Sequence, residues 1–341
     1  MSKKWWLISA GALWIVGLLV STSPALHFIS SSGLFGHADS PATPAPAFAE
    51  ISQNQIARPA GAHTASAFVT MADNFATAPE IIPAFVLESP SVHIPAPDLN
   101  AKAALVMDAY TGKVLFATHA TSALPIASIS KLMTTLLVLK YIPMDTIITV
   151  PQDAMDTYGN YGDLRVGEQI TAHSLLNLML VVSSNNAAVT FADYVSAATK
   201  TPFPDLMNKE AQNMGLYAAY FKEPTGLSAH NAASAWDVAR MANAAFANPL
   251  VKSFISMPTA TVYSANRTIV HNLVNTDEII GRDGIIGGKT GFTDEAGQCL
   301  VALVHNKAEN KNFIYVILGA QDRFTAMEKL ITWINASYQM E

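Results

Sequence analysis

The stretch Ala123-Leu-Pro-Ile-Ala-Ser-Ile-Ser-Lys-Leu-Met-Thr134 combines a helix pattern with two reactive side chains. Its apolar residues continue at helical spacing, at Ile129, Leu132, Met133, Leu136 and Leu137. This spacing predicts a helix that buries one stripe in a core. Ser128 and Lys131 are three residues apart, so they lie on one side of the first turns, away from that stripe.

The chemistry of this pair depends on burial. A serine at a helix start lies beside unpaired backbone N–H groups and the positive end of the helix dipole. A partly desolvated lysine next to it can lose its proton and then accept one from the hydroxyl. The pattern S-x-x-K also occurs by chance, as an N-cap serine followed by a surface lysine. The rest of the sequence has to decide between the two interpretations.

Composition limits the class of protein. Half of the 341 residues are apolar and 13% are charged, so the chain has ample material for a core. A net charge of −6 argues against nucleic acid as a partner. Cys299 is the one cysteine, which excludes an intrachain disulfide, and its apolar surroundings predict a core position.

The N-terminus has the pattern of an export segment. Lys3 and Lys4 precede an apolar run over residues 5–20, followed by small residues. We expect residues 1–29 to be either a cleaved signal peptide or a retained membrane anchor, and the sequence leaves both open. Either form places the rest of the chain in the periplasm or on the outer face of the cytoplasmic membrane.

Residues 30–96 differ from the rest in composition. Ala, Pro, Ser and Thr dominate, and ten of the chain's eighteen prolines lie between Pro24 and Pro97. This composition predicts a disordered tether over residues 30–96, followed by a folded catalytic domain over residues 97–341.

The sequence of residues 97–341 predicts an α+β architecture. Two strands are expected at its start, over residues 103–108 and 113–117, and three near its end, over residues 284–291, 298–305 and 312–318. Helices are expected between and after them, over residues 129–137, 171–182, 187–198, 203–214, 235–247 and 324–337. We therefore expect an antiparallel sheet formed from both ends of the domain, flanked by helices, with an inserted helical lobe.

Three short motifs follow one another along the chain. They are Ser128-x-x-Lys131 at a helix start, Ser183-x-Asn185 between two helices, and Lys289-Thr290-Gly291 on a strand. The trio S-x-x-K, S-D-N and K-T-G occurs in penicillin-binding proteins and β-lactamases. Each motif alone is weak, but the ordered trio in these positions is a strong signal.

From about residue 97 to 333 the chain resembles the serine D-Ala-D-Ala carboxypeptidases, which are low-molecular-mass penicillin-binding proteins. The supporting stretches cover residues 127–134, 179–185, 224–227 and 288–297. The resemblance implies a penicillin-binding protein or β-lactamase-like transpeptidase fold. Two features depart from the family: Ser184 stands where glycine is usual, and no C-terminal β domain with an amphipathic helix follows. We therefore expect any membrane attachment to be N-terminal.

The resemblance also implies roles for individual residues. Ser128 would be the nucleophile, Lys131 its base, and Ser183 a proton relay whose pKa Lys289 lowers. Backbone N–H groups of Ser128 and Phe292 would form the oxyanion hole. The residues expected to bind substrate are Asn185, Lys289, Thr290, Gly291 and Phe292. The implied partners are a peptidoglycan stem peptide and β-lactams as covalent inhibitors, without a cofactor or metal.

Several alternatives remain on sequence grounds. The nine histidines form no H-x-x-E-H or H-E-x-x-H pattern, which argues against a zinc D,D-peptidase. A β-lactamase needs a glutamate for deacylation, and the nearby candidate, Glu223, is interpreted as a solvated loop charge. The sequence favours a carboxypeptidase that removes the terminal D-alanine. An endopeptidase that cleaves D,D cross-links and a non-catalytic penicillin-binding wall protein are the alternatives.

Overall fold

The computed structural model describes Pro90 and residues 94–338. The strands within these residues are β1 (Ala103–Asp108), β2 (Val114–Thr118), β3 (Leu124–Pro125), β4 (Ile147–Thr149), β5 (Gln169–Thr171), β6 (Ala232–Ala233), β7 (Thr259–Tyr263), β8 (Val270–Val274), β9 (Ile285–Thr293), β10 (Gly297–Asn306) and β11 (Lys311–Ala320). The α-helices of the same part are α1 (Lys131–Tyr141), α2 (Gln152–Met155), α3 (Ala172–Val181), α4 (Asn185–Thr199), α5 (Phe203–Asn213), α6 (Ala235–Phe246), α7 (Pro249–Ile255) and α8 (Arg323–Ser337).

The largest sheet among the described residues has five antiparallel strands in the order β2-β1-β11-β10-β9. β1, from the start of the domain, pairs with β11 from its end, and Val106 lies opposite Tyr315. β9 forms one edge and pairs with β10, where Lys289 lies opposite Val301. The predicted α+β architecture, with one sheet built from both ends of the domain, is confirmed.

Both faces of this sheet are covered. Successive side chains of a strand point to opposite faces, so Leu105 and Val316 enter the core shared with the helical lobe. Their neighbours Val106 and Tyr315 enter a second core that includes residues of α8. Burial on both faces explains why the sequences of β1 and β11 are continuous apolar runs rather than alternating ones.

Helix α1 lies in the core of the helical lobe. Ile129, Leu132, Met133 and Leu137 are buried as the spacing predicts, and Leu136 is half-buried. The helix contacts α4, α5 and α6. Because α1 is packed on several sides, the turn that precedes it is held by the core.

The structure differs from the sequence expectation at the start of α4 and in several elements that the sequence analysis did not predict, among them the short elements α2, β3, β5 and β6. α4 begins at Asn185 instead of Ala187, because the Ser184 hydroxyl accepts a hydrogen bond from the Ala187 N–H and caps the helix. The hairpin β7–β8 and helix α7 were not expected from the sequence. β8 contains the alternation of a half-buried strand, but one of its two inward positions is His271, which hides the apolar pattern.

The predicted export segment and most of the predicted tether lie outside the described residues. Ile94 begins the continuous described part, and its carbonyl accepts a hydrogen bond from the Trp333 indole of α8 at 3.1 Å. Among the described helices, none is long and apolar enough to cross a membrane.

Candidate active site

Ser128 lies in a 3₁₀ turn, Ala127–Ser130, directly before α1. Ala127 has a positive φ of 47°, and the Ser130 hydroxyl donates to the Ala127 carbonyl at 2.8 Å. Ser128 is half-buried. Its backbone is therefore fixed by the turn while the residue remains partly accessible.

The Lys131 amine meets three oxygen atoms. Its Nζ lies 2.9 Å from Ser128 Oγ, 2.6 Å from Asn185 Oδ1 and 2.7 Å from the Thr225 carbonyl oxygen. Lys131 is fully buried. The predicted serine–lysine pair is thus in direct contact inside the protein.

Burial lowers the pKa of Lys131 from 10.5 to about 7, although the negative charge of Glu223 acts in the opposite direction. Near neutral pH a large fraction of the amine is therefore uncharged. A neutral amine has two N–H donors and one lone pair. Since Asn185 Oδ1 and the Thr225 carbonyl are acceptors, they take the two donors, and the lone pair is left for the Ser128 hydroxyl.

Asn185 is held in turn by the loop between α2 and β5. Its Nδ2 donates to the Tyr158 carbonyl at 2.8 Å, and its backbone N–H donates to the Gly159 carbonyl at 3.3 Å. The amide oxygen is then directed to Lys131. Asn185 connects the base to the loop that begins at Tyr158.

A second serine–lysine pair lies between the helical lobe and the sheet. Ser183, at φ 61° between α3 and α4, accepts a hydrogen bond from Lys289 Nζ at 2.9 Å. Burial, reinforced by the positive charges of Lys131 and Arg323, lowers the pKa of Lys289 well below 10.5. The lobe and β9 therefore meet through an amine that readily gives up its proton.

Two residues that the sequence did not indicate lie beside the K-T-G strand. The Thr276 hydroxyl is 2.6 Å from the Thr290 hydroxyl. Arg323, at the start of α8, donates to the Gly291 carbonyl at 3.1 Å, and burial lowers its pKa. Neither residue belongs to a local motif, since the fold alone brings them to β9.

The interpretation of Glu223 as a solvated loop charge is wrong. Its carboxylate accepts hydrogen bonds from the backbone N–H groups of Thr225 and Gly226, at 2.6 and 2.7 Å. These bonds shape the loop that presents the Thr225 carbonyl to Lys131. Gly226 has φ 89°, and a Cβ there would collide with the Ala127 carbonyl, so the loop packs directly on the nucleophile's turn.

The end of β9 lies against the same turn. A Cβ on Gly291 would come within 3.1 Å of the Ser128 backbone nitrogen and 2.9 Å of the Ile126 carbonyl oxygen. Phe292 follows, with 59% of its surface exposed. The strand edge therefore borders the nucleophile closely enough to bind a substrate in extended form.

The structure places Lys131 and Gly291 next to Ser128, Asn185 next to Lys131, and Ser183 next to Lys289. Thr290 and Phe292 flank Gly291 on β9. Within the part of the chain that is described, no group of three or more His, Cys, Asp or Glu side chains is placed to hold a metal ion. A serine in contact with a buried lysine, beside a second serine–lysine pair, is the arrangement of one class of protein: serine hydrolases with an activated serine nucleophile.

The family within this class follows from comparison with known proteins. The profile of the D-alanyl-D-alanine carboxypeptidases, peptidase family S11, matches residues 90–322. The chain belongs to this family, and the resemblance noted in the sequence is confirmed. It is a serine D,D-peptidase of peptidoglycan.

Individual relatives carry two different names. The chain is 33% identical over 243 residues to a D-alanyl-D-alanine endopeptidase of Pseudomonas aeruginosa, covering 70% of this chain and 78% of that one. It is 32% identical over 251 residues to a D-alanyl-D-alanine carboxypeptidase of Bacillus subtilis, covering 70% and 63%. The crystal structure of a D-alanyl-D-alanine carboxypeptidase from Mycobacterium tuberculosis aligns with a TM-score of 0.67 and 26% identity, covering 74% of this chain and 97% of that one.

Proposed function

We propose that this protein hydrolyses the D,D cross-links of peptidoglycan through an acyl-enzyme on Ser128. The observation that carries the chemistry is the buried Lys131 amine, 2.9 Å from Ser128 Oγ and with a pKa of about 7. A base with a pKa near the working pH is unprotonated in a large fraction of the molecules and still binds a proton strongly enough to remove it from the hydroxyl.

Acylation uses the first serine–lysine pair. Ser128 Oγ attacks the carbonyl of the D-alanine on the acyl side while Lys131 takes the hydroxyl proton. The backbone N–H groups of Ser128 and Phe292 stabilise the resulting oxyanion, and such a donor contributes about 10²–10³ in rate. Collapse of the intermediate leaves the D-alanyl group as an ester on Ser128.

The second pair serves the leaving group. The Ser183 hydroxyl donates a proton to the departing amine and is reprotonated from Lys131, which returns the Lys131 amine to its neutral form. Water then attacks the ester carbonyl and loses a proton to the Lys131 amine, which passes it to Ser128 Oγ as the ester bond breaks. This step restores the Ser128 hydroxyl and releases the shortened peptide.

The strand edge accounts for recognition of the group beyond the scissile bond. In a D-Ala-D-Ala terminus and in a D,D cross-link alike, this group carries a carboxylate next to the D-centre. Arg323 provides a cation and Thr290 a hydroxyl at the K-T-G strand, and the Lys289 amine is a further N–H donor there. A charge-assisted contact of this kind contributes about 1.5–3 kcal/mol, equivalent to roughly ten- to a hundredfold in kcat/KM.

The choice of the cross-link rests on the site's surroundings and on the relatives. Tyr158, Tyr161 and Phe292 belong to segments that border the site and are 78%, 55% and 59% exposed. Such aromatic side chains offer contact area to a second stem peptide. A leaving group that is a single D-alanine does not need this area. The endopeptidases of Pseudomonas aeruginosa and Escherichia coli match over 78% and 80% of their lengths.

Carboxypeptidase activity, which the sequence favours, is the second candidate. It would use the same acyl-enzyme, and the relative from Bacillus subtilis carries that name. A competition between a pentapeptide stem and a D,D-cross-linked dimer, followed by chromatography, separates the two activities. Preferential conversion of dimer to monomers supports the endopeptidase, and faster release of free D-alanine overturns it in favour of the carboxypeptidase.

A penicillin mimics the D-Ala-D-Ala amide and tests the acyl-enzyme itself. Intact-mass spectrometry should show one adduct on the protein and none on Ser128→Ala. Full labelling of that variant would contradict the assignment of Ser128. Labelling of the wild type without turnover of either peptide would instead indicate a non-catalytic penicillin-binding protein.

The substrate also bears on location. Peptidoglycan lies outside the cytoplasmic membrane, so the enzyme must be exported to reach it. The charged and apolar pattern of residues 1–29 supports export to the periplasm or to the outer face of the cytoplasmic membrane, with attachment through that segment where it is not removed.

A further inference from the structure

A buried histidine on β8 contacts the loop that holds Asn185. The side chains of His271 and Glu168 are both fully buried. His271 Nδ1 lies 2.6 Å from the Gly162 carbonyl oxygen, and its Nε2 lies 2.7 Å from Glu168 Oε1. The three motifs contain neither residue.

The hydrogen-bond chemistry requires a shared proton. Each ring nitrogen of His271 faces an oxygen atom, and a neutral imidazole has one N–H. Both contacts are hydrogen bonds only when the His271–Glu168 pair holds one more proton, on either the ring or the carboxyl group. The pair is then neutral as a unit and can remain buried.

The pair fastens the loop at two points. One is the Gly162 carbonyl, and the other is the Arg165 backbone N–H, which donates to Glu168 Oε2 at 3.2 Å. Gly162 has φ 94°, and a Cβ there would collide with Leu178 of α3, so the loop has no space to shift inward. The loop is pinned between the hairpin and α3.

The other end of this loop reaches the base. Tyr158 and Gly159 accept the two hydrogen bonds from Asn185, and Asn185 Oδ1 accepts from Lys131 at 2.6 Å. A displacement of the loop would move Asn185 and change the direction of the Lys131 lone pair.

We propose that His271 and Glu168 are positioning residues that set the geometry of Lys131 through the loop of residues 158–165. This inference rests on the proposed role of Lys131 as the base. The pair touches neither the nucleophile nor the carboxylate-binding groups. Its loss should therefore slow acylation more than it weakens binding.

Two substitutions separate the hydrogen bonds from the buried charge. His271→Leu fills the space with an apolar side chain and removes both ring nitrogens, and with them both hydrogen bonds. Glu168→Gln keeps every bond without charge, since its amide N–H can donate to His271 Nε2 while its oxygen accepts from Arg165. If His271→Leu fails to fold, Glu168→Ala takes its place in the comparison with Glu168→Gln.

A matched control comes from the same hairpin. Val262 is buried on β7 and lies opposite His271 in the register. Val262→Ala removes packing from the hairpin without removing a hydrogen bond to the loop. It reports what simple loss of stability does to the site.

The measurement is stopped-flow acylation of Ser128 by a fluorescent penicillin, at a temperature where every variant is folded by circular dichroism. His271→Leu should lower the limiting acylation rate about ten- to a hundredfold, the range for a displacement of roughly 1 Å at a catalytic group. The Kd of the non-covalent complex should change less than about threefold, and Glu168→Gln and Val262→Ala should keep wild-type rates.

The outcomes are distinguishable. A folded His271→Leu that is acylated at the wild-type rate overturns the inference, and so does an equal loss in Val262→Ala. A loss in Glu168→Gln as large as that in His271→Leu also contradicts it, because the hydrogen bonds would then not be what matters. Absence of acylation in the wild type would instead overturn the proposed function.

Discussion

At the residue scale, the site contains two serine–lysine pairs with different surroundings. Lys131 meets Ser128 within the helical lobe, and Lys289 meets Ser183 from the sheet, each at 2.9 Å. Both lysines are fully buried, and burial is the main cause of their lowered pKa values. Neither amine makes a salt bridge to a carboxylate among the described residues. The absence of such a partner keeps both amines available for proton transfer.

The pH dependence of acylation follows from the pKa of Lys131, which is about 7. Because the base is the neutral amine, the acylation rate constant should rise about tenfold per pH unit below pH 7 and level off above it. Lys131→Arg should lower the plateau by about 10²–10⁴, since a guanidinium does not release its proton. Stopped-flow acylation by a penicillin between pH 5 and pH 9 measures both effects.

The reference for this prediction is the wild-type non-covalent Kd over the same pH range. It separates binding from the chemical step. An acylation rate constant that does not change from pH 5 to pH 9 would contradict the assignment of Lys131 as the base.

At the scale of elements, the two proposed catalytic serines lie where elements begin or meet, and Lys289 lies within an edge strand. Ser128 is in the turn before α1, Ser183 lies between α3 and α4, and Lys289 is on the edge strand β9. The two serines are half-buried at these positions, Lys289 is buried, and the elements themselves are fixed by the core. The junction between α3 and α4 depends on Ser184, whose hydroxyl caps α4.

The cap predicts the effect of substituting Ser184. Ser184→Ala should destabilise the protein by about 1 kcal/mol, the usual contribution of an N-cap, and lower Tm by about 3 °C. Ser184→Gly, the residue usual in the family, should cost only a few tenths of a kcal/mol. Differential scanning calorimetry of both variants provides the comparison.

Thr171 caps α3 in the same way, by accepting from the Ser174 N–H. Thr171→Ala is therefore the matched control and should lower Tm by a similar amount. An unchanged Tm in Ser184→Ala, beside a lowered one in Thr171→Ala, would show that the Ser184 hydroxyl does not stabilise α4.

The sequence revealed those parts of the site that are local in the chain. Ser128 and Lys131 share one turn, and the spacing of the apolar residues of α1 predicts its helix. Thr276 and Arg323 carried no signal, because only the pairing of β9 with its neighbours and the start of α8 bring them to the K-T-G strand. Glu223 was misjudged because its partners are backbone N–H groups, which every sequence possesses.

At the scale of the whole molecule, the proposed export segment, residues 1–29, is separate in sequence from the residues of the proposed active site. All residues of the active site lie between Ser128 and Arg323. Deletion of residues 1–29 should therefore give a soluble, monodisperse protein with the acylation rate of the full chain. Ultracentrifugation of cell lysates and light scattering test this expectation. Sedimentation of the truncated protein with membranes would point to another anchor.

The two buried lysines also affect the stability of the whole domain. The pKa of Lys131 is about 7 when folded and 10.5 as its ordinary value. Between these values the unfolded chain binds more protons at this site than the folded protein does. Stability increases with pH wherever the unfolded state binds more protons, so burial of Lys131 opposes folding most below pH 7 and less as pH rises towards 10.5.

Lys131→Met isolates this effect from other titrating groups. The difference in the free energy of unfolding, variant minus wild type, should be greatest at pH 6 and fall steadily towards pH 10, as measured by urea denaturation. Leu137→Ala, which removes a buried apolar side chain and no titrating group, should give a difference that is constant with pH. A constant difference for Lys131→Met as well would mean that the amine keeps its ordinary pKa in the folded protein. In that case the enzyme would need another base, because a lysine charged at neutral pH cannot accept the Ser128 proton.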